Sequence, residues 1–268
     1  MAAITAKMVS ELREKTGAGM MDCKKALVAA DGDFDLAIEN LRKSGAAKAE
    51  KKAGRATNQG KVLTAIQPGR ASIVEVLCET DFAAKTDKFT NLVKSMADAA
   101  LKLAGDGDVC AALNEAEKEN LTNHIATIGE NMQLRRAEKW EGNTFVSYHH
   151  DGGRVTVLAE VEGETDPEVL NDLCLHIAAF SPRYISSADV PADVIAKEKE
   201  IAAAADPKLA GKPAEMLDKI LAGKIRKFFS EVCLVDQPWV KDDKTTLAKM
   251  KPNLKVKRFV RWEVGEEL

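Results

Sequence analysis

No apolar run in this sequence approaches the ~20 residues a membrane-spanning helix requires, so no segment reads as a span. The amino-terminal MAAITAKMVSELREK alternates charged and apolar residues, and it lacks the uninterrupted apolar core of a signal peptide. Charge of one sign is lacking too: 39 basic and 42 acidic residues leave a formal net charge of −3. That balance offers no bulk attraction to nucleic acid. Two short basic segments exist, one with Lys48, Lys51, Lys52 and Arg55, the other with Lys255, Lys257, Arg258 and Arg261. Neither interleaves aromatic rings, so neither builds a stacking platform for bases. Cysteine is sparse. Cys23, Cys78, Cys110, Cys174 and Cys233 are scattered, odd in number and never paired as CxxC. This usage fits a reduced cytoplasmic protein with small buried thiols, without a disulfide or a zinc site.

Catalytic signatures are missing as well. There is no GxxxxGK[ST], no GxSxG and no HExxH, and the GAG at 17–19 has no phosphate-loop context. The four histidines are His124, His149, His150 and His176. Strand alternation aims the adjacent pair at opposite faces, a poor arrangement for a metal. Carboxylates are plentiful but fall on charged helix faces, where solvation is the plain explanation. The expectation is a protein that is not an enzyme and has no cofactor and no metal.

What is present is a chain of 268 residues with 45% hydrophobic and 30% charged residues, enough for a packed core in one to three domains. Ile4, Met8, Val9 and Leu12 recur at helical spacing, with Thr5 as a cap and Gly17 as a stop. Asp22 is placed as the cap of a second helix carrying Cys23, Ala26 and Leu27, and DGD at 31–33 breaks it. A third helix carries Phe34, Ala37, Ile38 and Leu41 and is expected to stop near Gly45. The small, basic stretch AAKAEKKAGRATNQG at 46–60 reads as a linker.

From Lys61 the period changes to that of strands. KVLTAI and ASIVEVLC flank the turn QPGR, and a helix follows with Phe89, Leu92, Val93, Met96, Ala97 and Ala100. A helical stretch from Leu113 to about Met132 and a strand over 133–141 come next. FVSYHH, DGG and RVTVLAEVEG then form a second hairpin, followed by the helix PEVLNDLCLHIAAFSP. The parallel between GRASIVEVLCET and GRVTVLAEVEGET, each followed by a helix, points to an internal duplication. VIAKEKEIAAAA and PAEMLDKILAGKIRKFF, separated by DPKLAGK, read as an antiparallel helical hairpin of coiled-coil type. In it Val194, Ile195, Glu198, Ile201 and Ala202 face Met216, Leu217, Ile220, Leu221, Ile225 and Phe228. A last strand, KVKRFVRWEV, closes the chain.

The fold class is therefore α+β: an N-terminal three-helix bundle, a duplicated α+β core with antiparallel sheets, and an inserted antiparallel helical hairpin. The boundaries are a bundle over 1–45, a linker over 46–60 and a first core subdomain over 61–141. A second core subdomain is formed by 142–182 and 231–268, interrupted by the hairpin over 183–230. Met20 and Met21, between Gly19 and Asp22, are placed in a loop. They serve either as plugs of the small core or as an adaptable contact surface, since methionine tolerates varied partners.

Several motifs together resemble the bacterial elongation factor Ts family. They are ITAKMVSELREKTGAGMMDCKKAL (4–27), IENLRKSG (38–45), CETDFAAK (78–85), IGENMQLRR (128–136) and RFVRWEVGE (258–266). They occur in order over almost the whole chain. The resemblance implies a translation elongation factor of the cytoplasm, a guanine-nucleotide exchange factor that binds elongation factor Tu in its GDP-bound and nucleotide-free states. It also implies that the Thr-Asp-Phe loop, here Thr80, Asp81 and Phe82 with Ala83, reaches toward the magnesium site of the partner. The family often carries a larger apolar residue where Ala83 stands. By the same resemblance Arg13, Met20 and Met21 dock on the partner's nucleotide domain, and His150 joins a second contact region. Asp81 either orients the loop or repels the phosphate region. The helical hairpin is linked in the family either with self-association, as a homodimer, or with further partners. The family commonly continues past VGE with a further helix, whereas this sequence ends at Leu268. The competing expectation is a non-catalytic adaptor, a ubiquitin-associated-like bundle on a dimerising scaffold, which would bind a partner without changing nucleotide release.

Overall fold

The computed structural model describes residues 3–164, 166–205 and 213–268. Helix α1 (Ala6–Thr16) starts where the Thr5 hydroxyl accepts the Met8 N–H at 3.3 Å, and ends at Gly17, whose φ of 66° is left-handed. Helix α2 (Met20–Ala29) follows, then α3 (Phe34–Glu50), begun by the Asp33 carboxylate accepting the Leu36 N–H at 3.0 Å. Val9, Leu12, Cys23, Ala26, Leu27 and Ala37 form the bundle's core.

Three expectations fail in this bundle. Met20 and Met21 lie in the first turn of α2, not in a loop, because Gly19 rather than Asp22 occupies the cap position. Asp22 instead sits in that first turn, where a carboxylate is favoured by the helix dipole, and pairs with Lys48 at 2.9 Å. Gly45 does not stop α3. A helical glycine costs about 1 kcal/mol against alanine, but this one is buried, and a Cβ there would stand 3.4 Å from the Ala126 Cβ. Packing overrides propensity, and the helix runs five residues past the expected boundary into the linker.

Strands β1 (Gln59–Gln67) and β2 (Arg70–Cys78) form an antiparallel hairpin. Then come α4 (Asp81–Ala84), α5 (Asp87–Ala100), β3 (Gly107–Asp108), α6 (Cys110–Ala116), α7 (Lys118–Ile128) and β4 (Met132–Glu141). The sheet order is β1-β2-β4-β3 with antiparallel pairs. Strand β2 is central and buried at every position after Arg70. Helix α5 lays Phe89, Leu92, Val93, Met96, Ala97 and Ala100 into the core of this sheet. Each large one of these is worth roughly 1.5–3 kcal/mol of burial. The single helical stretch expected from Leu113 to Met132 is two helices. Their junction is at Glu117, Gly129 ends the second at φ 91°, and Met132 opens β4.

Strand β4 carries one extra residue against β2. Glu75 stands opposite Arg136 and Val76 opposite Leu134, so Arg135 is bulged out. The bulge turns two adjacent guanidinium groups toward one carboxylate. Glu75 is fully buried; its Oε2 meets Arg136 Nε at 2.5 Å and Arg135 Nη1 at 3.2 Å, and its Oε1 accepts the Gly265 N–H at 2.8 Å. Arg136 also stacks over Trp262 at 4.3 Å and donates to Glu266 at 2.8 Å.

The second half opens with β5 (Thr144–His150) and β6 (Val155–Glu162), joined by a 3₁₀ turn at Asp151–Gly153. It continues with α8 (Pro167–Phe180), α9 (Ala192–Ala204), α10 (Ala214–Val232), β7 (Pro238–Trp239), β8 (Asp242–Thr246), α11 (Leu247–Met250) and β9 (Lys255–Glu263). The three-stranded sheet has the order β5-β6-β9. The duplication is visible in this topology: each half is a hairpin, then a helix, then a later strand laid beside the hairpin's second strand, β4 on β2 and β9 on β6. Val157, Ala159, Val161, Leu173, Cys174 and Ile177 form the core, with Leu234 and Trp239. His176 is buried there between Phe180 and Trp239, with ring centroids 4.8 and 4.9 Å away.

Helices α9 and α10 pack together, with Ala202 and Ile225 buried. Ile201 and Met216, expected to face each other, are exposed instead. Consecutive helical positions lie about 100° apart around the axis, so the stripe covered at Ala202 leaves Ile201 outside. The DPKLAGK separator at 206–212 lies outside the described residues.

The chain divides into two compact units. One runs up to Glu141 and also takes in His149–Thr156 and Trp262–Leu268; the other lies within Gly142–Tyr148 and Val157–Arg261. The tip of the second hairpin and the closing segment, assigned from sequence to the second half, therefore fold into the first unit. Specific bonds explain this: the Thr156 hydroxyl donates to the Val62 carbonyl at 2.6 Å, and Gly265 reaches Glu75. Among the described residues no helix is long and apolar enough to cross a membrane, and the five cysteines are free thiols.

Candidate functional site

Two phenylalanines seven residues apart meet opposite environments. Phe89 is 0% exposed, while Phe82 is 80% exposed. A lone exposed apolar side chain is ordinary on a protein surface. What distinguishes Phe82 is the frame that presents it. Phe82 belongs to α4, a single turn whose Ala83 and Ala84 are buried, so the turn is anchored on one side and the ring stands out on the other.

That turn is fixed at both ends by side chains. At the start, the Thr80 Oγ1 accepts the Ala83 N–H at 3.2 Å. At the end, the Thr86 hydroxyl donates to the Ala83 carbonyl at 2.8 Å and accepts the Phe89 N–H at 3.2 Å, starting α5. The Cys78 thiol donates to the Thr80 carbonyl at 3.2 Å. Burial foremost, aided by the charge of Glu130, pushes this thiol up to about 12. It is therefore a neutral donor at physiological pH. Asp81 accepts the Lys85 ammonium at 2.7 Å, and that hydrogen bond is the main reason its carboxyl is held below the usual range.

Beneath the loop lies a second set of bonds. Glu130 Oε2 accepts the N–H groups of Glu79 at 3.1 Å and Thr80 at 3.0 Å, and its Oε1 accepts the Thr80 hydroxyl at 2.6 Å. Glu79 reciprocates: its Oε1 accepts the Asn131 N–H at 2.6 Å and pairs with Arg55 at 3.3 Å. The Asn131 amide donates to the carbonyls of Ala53 and Arg55 at 3.3 and 2.8 Å, tying in the segment after α3.

The tip of the second hairpin belongs to the same unit. His149 Nε2 lies 3.2 Å from the Thr64 N–H, which it accepts, and 3.0 Å from the Thr64 hydroxyl. Gly153, at φ 100°, leaves room that a Cβ would lose, since it would come within 2.9 Å of the Val62 carbonyl. This seats Asp151, Gly152 and Arg154 with Asp81, Ala84 and Lys85 around one shallow cleft. The structure thus brings the Thr80–Ala83 turn together with the tip whose exposed His150 precedes Asp151. It does not bring the bundle residues there. Arg13, Met20 and Met21 are exposed on α1 and α2 and line no part of that cleft. Among the described residues no group of three or more His, Cys, Asp or Glu is placed to hold a metal.

The family model described as Elongation factor TS matches residues 79–266. Elongation factor Ts of Thioalkalivibrio sulfidiphilus is 46% identical over 275 residues, covering 98% of this chain and 92% of that protein. Those of Vibrio parahaemolyticus and Pasteurella multocida are 44% and 45% identical, each with 99% of this chain and 93% of their own length covered. The chain belongs to the elongation factor Ts family. It is accordingly a translation elongation factor, a protein of protein biosynthesis.

The elongation factor Ts match begins at Glu79, inside the clasp beneath the loop, and ends at Glu266, inside the Glu75 cluster. One motif that carried the resemblance, IGENMQLRR, serves both: its Glu130 and Asn131 hold the loop, and its Arg135 and Arg136 hold Glu75. None of Glu75, Lys85, Glu130 or Asn131 was singled out from sequence. Glu130 was within reach, as an acid directly after the helix-ending Gly129 and inside the IGENMQLRR motif.

Proposed function

We propose that this chain is a guanine-nucleotide exchange factor that binds elongation factor Tu–GDP and promotes GDP release by disturbing the magnesium site, acting in the cytoplasm and not as an enzyme in its own right. The observation that supports this best is Phe82, 80% exposed on a turn buried and capped on its other side. A ring held outward by its own domain has its burial energy in reserve for a partner. Burying it there is worth roughly 1.5–3 kcal/mol, or about ten- to a hundredfold in an equilibrium constant. Spent on holding partner side chains in a rearranged position, that energy displaces magnesium ligands, and the nucleotide loosens because the cation holds its phosphates.

In this reading Thr80 and Ala83 shape the turn. Asp81 orients it through Lys85 in the free protein. Met20, Met21 and Arg13 give a separate docking patch, and His150 a contact at the hairpin tip. Linkage makes the exchange reciprocal: if the factor lowers nucleotide affinity, nucleotide lowers the factor's affinity by the same ratio, so nucleotide loading expels the factor. Ile201 and Met216, exposed on the helical hairpin, are the apolar surface offered to a second copy.

Stopped-flow release of fluorescent GDP from elongation factor Tu tests the reading. Phe82→Ala is expected to slow the stimulated release about ten- to a hundredfold with the fold intact. A fully active Phe82→Ala protein sinks it. Tight binding by the native chain with no change in GDP off-rate favours the adaptor instead.

A further inference from the structure

We propose that Glu130 is the positioning residue for the Phe82 turn, acting through a reciprocal clasp in which the carboxylates of Glu79 and Glu130 each cap the other segment's backbone. The inference rests on the exchange reading for its consequence, but its geometry stands alone. Residues 79–80 leave a central strand and residues 130–131 approach its antiparallel neighbour. Both segments are short of strand partners there, and each supplies the other's acceptor. Glu130 takes three donors from residues 79 and 80 within 2.6–3.1 Å. Glu79 takes the Asn131 N–H at 2.6 Å. Asn131, 2% exposed, then fastens the pair to the carbonyls of Ala53 and Arg55.

Thr80 joins this clasp to the ring. Its hydroxyl hydrogen goes to Glu130, and the same oxygen accepts the Ala83 N–H that closes the turn. Orienting the hydroxyl toward Glu130 leaves its lone pairs aimed at Ala83. Charge-assisted bonds of this kind are shorter and stronger than neutral ones. Without the Glu130 carboxylate the turn keeps its buried alanines, but the direction of Phe82 is no longer set. Glu130 touches neither nucleotide nor the reacting groups of a partner in this reading. It fixes where the ring is when the partner arrives, and preorganisation of that kind lowers the cost of binding.

Two measurements decide it. In the free protein, amide hydrogen exchange at Thr80 needs no partner. Glu130→Ala removes the acceptor and is expected to reduce protection there about tenfold, with Glu130→Gln, which keeps one acceptor oxygen, in between. Unchanged protection at Thr80 overturns the clasp. In the nucleotide-release assay, Glu130→Ala is expected to lower stimulated GDP release about tenfold, with most of it restored in Glu130→Gln. In a Phe82→Ala background the same Glu130 substitution is expected to change the rate less than about twofold, because the group it positions is gone. An undiminished loss in that background overturns positioning, since Glu130 then acts by another route. A Phe82→Ala protein as active as the native one overturns the exchange reading instead, while the Thr80 protection still decides the clasp.

Discussion

Replacing Glu75 by alanine removes a fully buried carboxylate that two guanidinium groups and one backbone N–H share. The arginine side chains are only 20% and 14% exposed, so water replaces little of what they lose. Breaking a buried pair by deleting one partner costs about 3–5 kcal/mol, and an orphaned N–H at Gly265 adds about 1–3 kcal/mol. Part of that cost is recovered because both arginines keep Glu266 as a partner, so about 3 kcal/mol is the expected net loss, local to the 262–266 segment. The whole chain has two compact units, so a single global unfolding energy is poorly defined. Hydrogen exchange at the Gly265 amide reads the local opening directly. Three kcal/mol corresponds to a rise of about a hundredfold in exchange rate. Glu75→Gln, which retains an acceptor, is expected to lose less. Exchange at Gly265 within about fivefold of the native rate in Glu75→Ala would refute the claim that this carboxylate holds the closing segment.

Other expectations follow from burial and charge. Phe89→Ala is expected to cost about 3–5 kcal/mol in the opening of the first unit, read by hydrogen exchange of the α5 and β2 amides, whereas Phe82→Ala, at 80% exposure, changes it by less than about 0.5 kcal/mol; similar costs for both would contradict the assignment of one ring to the core and the other to the surface. Burial, opposed by the Gln237 hydrogen bond, holds the His176 imidazole below the usual 6.5. The folded state then refuses a proton that the unfolded chain accepts, so this contribution is fully present above about pH 6.5 and is lost as pH falls toward the folded pKa; NMR titration giving His176 a midpoint above 6.5 reverses the sign. The Cys78 thiol, pushed up to about 12 by burial, should resist iodoacetamide at pH 8 in the native state and react on unfolding, and rapid native alkylation would show that the thiol is not shielded.

Much of the architecture was legible because it rests on local rules. Thr5 and Gly17 bracket α1 as their chemistry dictates, and the two hairpins follow from alternation around Pro-Gly and Asp-Gly-Gly turns. Where the expectation failed, a distant contact had overridden a local preference. Gly45 stays helical because it packs against Ala126, some eighty residues away in sequence. The hairpin tip joins the first unit because Thr156 bonds Val62, a pairing that no period encodes. For the site, Phe82 beside a carboxylate was legible as a motif, and the structure leaves its ring exposed. The frame around it was hidden because its partners, Glu130 and Asn131, are separated from the loop by about fifty residues. The bulge at Arg135 was equally silent: the apolar residues of QLRRAEKWE, Leu134, Ala137 and Trp140, fall three apart, and only the register against β2 places the extra residue.

The Glu75 cluster also constrains the order of events during synthesis. The ribosome delivers Glu75 early and its two arginines some sixty residues later. Gly265, the backbone donor that completes the shell, is 190 residues downstream. A nascent chain long enough to build the first sheet still carries this carboxylate without the Gly265 N–H, and a segment 190 residues downstream supplies it. The half of the fold that forms first is thus sealed only after a much later stretch of chain has been made.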